Sequence, residues 1–246
     1  MTNHFNLLIV SGCSFTANYC WPKHLADELK FDSSQLKNYG VISSGNGRIA
    51  RSIIYGVSEA LKTHKPENIL VGIMWSAASR SEVFQSHINK SSIWQHGDGV
   101  NPTAFVEGAD KNWILIHSGW DDTYSKNYYT YQYDELGSYI NSLEHILRVQ
   151  WFLKMHNISY FMTSAFGELF PEDTSNPNIQ HLYEMIDHSK FLPVKNCLDW
   201  VINSGVPNDP ADDGKPFNFR HPTDDQHRAF AQKVIYPYIN QLTEPK

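Results

Sequence analysis

Cysteine is scarce in this chain: Cys13, Cys20 and Cys197 are the only three in 246 residues. Three thiols cannot all pair within one chain, so a disulfide scaffold is excluded and a reducing compartment is the simpler expectation. Long apolar runs are missing too. None reaches the roughly 18 residues of a membrane-spanning helix. The opening segment, MTNHFNLLIV, is too short and too polar at its head for a secretory leader. These absences lead us to expect a soluble, cytoplasmic protein with no membrane partner. Basic residues are also outnumbered, 20 Lys and Arg against 26 Asp and Glu for a net charge of −6, so no general attraction to nucleic acid is expected. Metal motifs are lacking despite 12 histidines. There is no His-Glu-x-x-His and no Cys-x-x-Cys, and His181, Glu184 and His188 read as a solvated helix face. Neither a metal nor a cofactor is expected.

What is present is a regular alternation. Leu7-Leu8-Ile9-Val10, Asn68 to Trp75 and Ile158 to Thr163 are short, continuous apolar runs of the kind buried on both faces in a parallel sheet, with a weaker copy at Leu36 to Val41. Between them lie helical patterns. Trp21 to Leu29 carries Pro near its start, and Ile49, Ile53, Ile54, Val57 and Leu61 form a stripe. Tyr139, Leu143, Ile146, Leu147 and Phe152 form another, and Phe230, Val234 and Tyr238 mark a last helix. Strand–helix alternation predicts one α/β domain over 1–246, an open, mostly parallel sheet with helices on both faces. The stretch from about Ser81 to Gly137 breaks the pattern. It is rich in aromatics, including Trp94, Trp113, Trp120 and Tyr128-Tyr129-Thr130-Tyr131. A long insertion in a compact domain is usually functional or disordered, and with so many aromatics we expect a cap or substrate-binding region, part satellite core and part aromatic platform for sugar rings.

Ligands of open α/β sheets bind beyond the C-terminal ends of the strands. The residues that follow the predicted strands are Ser11-Gly12-Cys13-Ser14-Phe15-Thr16, Ser43-Ser44-Gly45-Asn46-Gly47 and Trp75-Ser76 with Arg80 beyond, while His221-Pro222 precedes the last helix. A serine needs a base to become a nucleophile, and histidine is the usual one. Ser14 and His221 fit those roles. The N–H groups of Ser14 and Gly45, with the Ser76 hydroxyl, are candidate oxyanion donors. Arg80, Asn46 and Trp75 are candidate substrate contacts. His227, six residues beyond His221, should face elsewhere on a helix.

These segments resemble the SGNH/GDSL hydrolase superfamily. Gly12-Cys13-Ser14-Phe15-Thr16 is similar to its Gly-Asp-Ser-(Leu/Phe) block, Asn38-Tyr39-Gly40 through Gly45-Asn46 to its second block, and Asn218-Phe219-Arg220-His221-Pro222 to its Asp-x-x-His-Pro block. The resemblance implies a three-layer α/β/α sandwich of flavodoxin-like type. It also implies metal-free ester hydrolysis through an acyl-serine, on a small-molecule or glycan ester. Three positions depart from the pattern. Cys13 replaces an aspartate, Ser76 stands in register with an asparagine donor, and Asn218 stands where the triad aspartate would be. Asparagine orients an imidazole but does not stabilise its cation, and such a change in a triad costs up to about ten-thousand-fold. A Ser14–His221 dyad is the minimal mechanism unless Asp213, Asp224 or Asp225 supplies a carboxylate. An acyltransferase, or a glycan-binding or assembly protein on an eroded site, is the alternative. The Gly45-Asn46-Gly47-Arg48-Ile49-Ala50 segment also matches a dinucleotide turn but follows the wrong strand.

Overall fold

The computed structural model describes residues 4–17, 20–86, 110–206 and 221–242. Its centre is a four-stranded parallel sheet of β1 (Leu7–Ser11), β2 (Leu36–Asn38), β3 (Ile69–Trp75) and β6 (Ser159–Ser164), in the order β2-β1-β3-β6. The four apolar runs read from the sequence are these four strands. Leu8 pairs with Leu36 on one side and Leu70 on the other, and Leu70 pairs with Ser159. A single parallel bridge, Met162 to Phe191, continues the order beyond β6.

Alternation along the strands builds two cores. Leu7, Ile9, Val71, Ile73, Trp75, Tyr160 and Met162 pack with α2 (Asn46–Ala60), α4 (Glu135–Met155) and α5 (Pro177–Glu184). Leu8, Val10, Leu70, Met74 and Phe161 face α1 (Trp21–Glu28), α6 (Cys197–Asn203), α7 (Asp224–Phe230) and α8 (Tyr236–Leu242), the last two joined by a π turn over Ala231–Ile235. The inner strands β1 and β3 are therefore buried at every position rather than at every second one. Local chemistry sets where the helices begin. Pro22 opens α1, the Asp134 carboxylate accepts from Gly137 N–H at 2.6 Å to start α4, and Thr223 with Gln226 forms a capping box on α7.

From β1 the chain passes to β2 on one side, then crosses to β3 on the other. This reversal opens a crevice at the C-terminal edge between β1 and β3. The segment after β3 forms a separate antiparallel pair, β4 (Ser81–Phe84) and β5 (Trp113–Ile116), followed by α3 (Thr123–Tyr131). The boundary of the insertion falls earlier than Gly137, because Asp134 already caps α4. Trp94, Asp213 and Asn218 lie outside the described residues.

A fully buried ionic contact helps tie this segment to the main body. The Arg48 guanidinium on α2 meets the Asp110 carboxylate with Nε–Oδ1 at 2.7 Å and Nη2–Oδ2 at 3.1 Å, and both side chains are 1% exposed. Arg48 Nη1 also donates to Tyr39 O at 2.7 Å. A fork this well satisfied is held in place, but losing one partner strands a buried charge. Asp110→Ala is expected to destabilise the protein by about 3–5 kcal/mol. Urea denaturation of wild type and variant measures this, and a change below 1 kcal/mol contradicts it.

Candidate active site

The site grows from the turn after β1. Thr16 and Ala17 N–H both donate to Cys13 O, at 2.9 and 3.1 Å, curling Gly12–Ala17 into a tight loop. Gly12 has to be glycine, since a Cβ there would lie 2.1 Å from Thr16 Oγ1 and 2.9 Å from Met74 O. Cys13, Phe15 and Thr16 are buried, which leaves half-buried Ser14 at the surface of the crevice. The exit of β2 clamps the loop. Asn38 Nδ2 donates to Thr16 O at 2.7 Å, its Oδ1 accepts from Gly40 N–H at 2.8 Å, and Val41 N–H donates to Gly12 O at 3.1 Å.

Ser14 Oγ and His221 Nε2 are 2.7 Å apart across 207 positions of chain. The Phe15 ring backs the imidazole at a centroid distance of 5.2 Å, and Pro222 and Thr223 fix the entry to α7. Burial, and then the positive charge of Arg80, hold the His221 pKa below the ordinary histidine value. A neutral imidazole at neutral pH is the form that accepts a proton. His227 lies on the far side of the same phenyl ring, 6.2 Å centroid to centroid. It is pushed down to about 3 by burial first and then by His24 and His221.

Two proposed carboxylates are occupied elsewhere. Asp224 pairs with His24 at 2.9 Å and Arg228 at 3.0 Å, and Asp225 pairs with Arg228 at 2.9 Å, so neither orients His221. The other two orienting candidates, Asp213 and Asn218, lie outside the described residues.

The Ser14 and Gly45 N–H groups donate to no acceptor among the described residues. Ser76 Oγ is fully buried and likewise without a partner. Trp75 does not fit as a substrate contact, whereas Asn46 lines the neighbouring cavity with its side-chain amide engaged by the protein. The Asn46 amide is spent on Ser76 O at 3.2 Å, Ser142 Oγ at 3.0 Å and Ser76 N–H at 2.8 Å, and it is 2% exposed. Trp75 is wholly buried in the core on the α2 and α4 side, because it is the last strand residue and points into the sheet face. Arg80 does reach the crevice. Its guanidinium lies 4.7 Å over the Phe166 ring, which itself contacts Phe15 at 5.3 Å.

Beside the dyad, a cavity of about 320 Å³ opens between α2, α4 and the β4–β5 pair. Glu82, from β4, closes one side. Its carboxylate accepts from Arg48 N–H at 3.0 Å in the first turn of α2 and pairs with Arg51 at 3.0 Å. Gly45 and Gly47 make room for it, since a Cβ at either would fall 2.6 or 2.8 Å from a Glu82 oxygen. The expected aromatic platform is mostly something else. The Arg51 guanidinium covers Trp113 at 3.7 Å, and Tyr129 and Tyr133 stack at 5.2 Å with Tyr129 Oη donating to Ser79 O at 2.5 Å. Only Trp113 and Tyr128 line the cavity. Phe15, Asn38, Phe166, Glu82 and His145 had no signal in the sequence that marked them as site residues.

Fold and site together define a parallel α/β protein with a Ser–His pair at the C-terminal edge of its sheet. The chain belongs to a family of unknown function (DUF6071), whose profile matches residues 12–245. No curated protein and no solved structure matches the chain. No described helix is long and apolar enough to cross a membrane.

Because Arg80 adds to burial in depressing His221, an NMR titration should place the His221 ring below pH 6.5, with Arg80→Gln moving it upward. A ring that titrates at the same pH in both proteins would remove Arg80 from this role.

Proposed function

We propose that this protein is a serine esterase of the SGNH type that hydrolyses an acyl ester, such as an acetyl ester on a carbohydrate. The observation that carries the reading is the 2.7 Å contact between Ser14 Oγ and His221 Nε2. The strand order supports it as well. Counting parallel strands alone, the order is 2-1-3-4, that of flavodoxin-like three-layer sandwiches, whose ligands sit between the first and third strands.

In this reading Ser14 Oγ attacks the ester carbonyl while its proton passes to His221 Nε2. The carbonyl oxygen becomes an oxyanion held by the Ser14 and Gly45 N–H groups, with the Ser76 hydroxyl as a third donor. Collapse expels the alcohol, which takes the proton from His221, and leaves an acyl-serine. Water, activated by the same imidazole, releases the acid and restores Ser14. Transfer of the acyl group to a second sugar hydroxyl differs only in the acceptor. The chemistry needs no cofactor and no nucleic-acid partner. The β4–β5 segment with α3 forms the cap over the substrate.

A second reading, a glycan-binding protein on this fold, is favoured by the departures of Cys13, Ser76 and Asn218 from the hydrolase pattern. Hydrolysis of 4-nitrophenyl acetate separates the two. Ser14→Ala is expected to lower kcat at least a hundredfold, and a fluorophosphonate should label wild type at Ser14 alone. Equal rates for the two proteins, with no labelling, would leave the binding reading.

A further inference from the structure

The cavity beside the dyad has an unusual charge inventory. Arg51, Arg80 and Arg148 line it together with a single carboxylate, Glu82. Glu82 is already shared between Arg51 and the first turn of α2. Arg80 Nη1 is buried and finds no hydrogen-bond partner, and the guanidinium lies over the face of Phe166. Arg148 on α4 makes no ion pair among the described residues. This contrasts with Arg48, one turn away on α2, which is matched donor for donor by Asp110, Tyr39 and Ser44.

Guanidinium groups gathered around one space repel each other, and burial deepens that cost. The repulsion has visible effects. After burial, Arg51 and Arg148 hold His145 down to about 4, so the imidazole is neutral and adds no charge of its own. Arg80 adds to burial in depressing both His117 and His221. Glu82 and Glu144 offset part of the Arg148 charge, and the positive charge that remains is felt by the neighbouring imidazoles. A planar fork of N–H donors is what pairs best with a carboxylate or phosphate. The remaining lining, Ser81, Ser138, Asn141, Trp113 and Tyr128, offers hydroxyls, an amide and ring faces. Its volume, about 320 Å³, lies at the small end of the roughly 300–1,000 Å³ typical of ligand sites.

We propose that this cavity binds an oxyanion carried by the substrate, held by Arg80 and Arg148 with Arg51 behind them, so that the ester acted on belongs to an acidic glycan. The glycan clause rests on the esterase reading; the oxyanion site does not. Arg80 links the two, lying between the cavity and the Phe166–Phe15–His221 stack. An anion docked on Arg80 is therefore linked to the dyad through the Phe166–Phe15–His221 contacts.

The test uses the full chain carrying Ser14→Ala, which cannot turn over. Inorganic phosphate, sulfate and glucuronate are titrated into it by calorimetry at low salt, with glucose as the neutral control. At least one oxyanion should bind saturably and glucose should not, and the preferred probe distinguishes a phosphate or sulfate ester from a uronic acid. Adding Arg148→Gln or Arg80→Gln should weaken binding at least tenfold, whereas Lys62→Gln on the surface should not. Absence of saturable binding by all three probes, or unchanged affinity in both arginine variants, overturns the proposal. Wild-type hydrolysis separates it from the esterase reading. Binding without hydrolysis supports the cavity and sinks the esterase. Hydrolysis with equal kcat/KM on acetylated glucuronate and acetylated glucose, and no anion binding, does the reverse.

Discussion

The amide of Asn46 is the contact on which the crevice depends. It accepts from the Ser76 N–H, donates to the Ser76 carbonyl and reaches Ser142 on α4, joining the start of one helix, the end of β3 and a second helix. Strand ends normally leave unpaired backbone groups, and burying them costs free energy unless something satisfies both donor and acceptor. A primary amide does both at once. Because the bond is made where α2 begins, it also sets Gly45 beside Ser76, so that a free N–H and a free hydroxyl come from chain segments about thirty residues apart. Aspartate in its place would keep the acceptor and lose the donor.

Charge is arranged on the same frame in two different ways. Arg48 is satisfied on every side and acts as mortar between α2 and the segment that returns at Asp110. Arg80 and Arg148 are left facing open space. Glu82 stands between these regimes, neutralising the positive end of α2 and one guanidinium with a single carboxylate. A net charge of −6 for the whole chain therefore conceals a locally positive recess.

Much of the fold was readable because each signal is local. The runs at Leu7, Ile69 and Ser159 show burial on both faces, and the stripe from Ile49 to Val57 shows a helix with one. Ser14 and His221 were readable because residues just past strand ends, or just before a capped helix, have few purely structural reasons to be a serine and a histidine. Trp75 failed the same rule. Being last in a strand does not say which way a side chain points, and the pleat turned this one inward. Asn46 lines the cavity, but its amide is engaged as a brace, a role that sequence position alone does not distinguish from ligand contact. The Arg48–Asp110 pair had no local signature, since it joins residues 62 positions apart through a segment without periodicity. The aromatic stretch promised a sugar platform, but ring count carries no information about which faces stay open, and Arg51 closes one of them.

The dyad joins the two ends of the chain, and the halves of the molecule that carry it meet through α1 and α7. His24, 5% exposed, hydrogen-bonds Asp224 at 2.9 Å, and Phe230, Val234 and Ile239 share a core with Trp21 and Leu25. The imidazole therefore meets the hydroxyl only while α7 is docked on α1, so the Ser14–His221 contact reports on the packing between these helices rather than on the pairing of the strands.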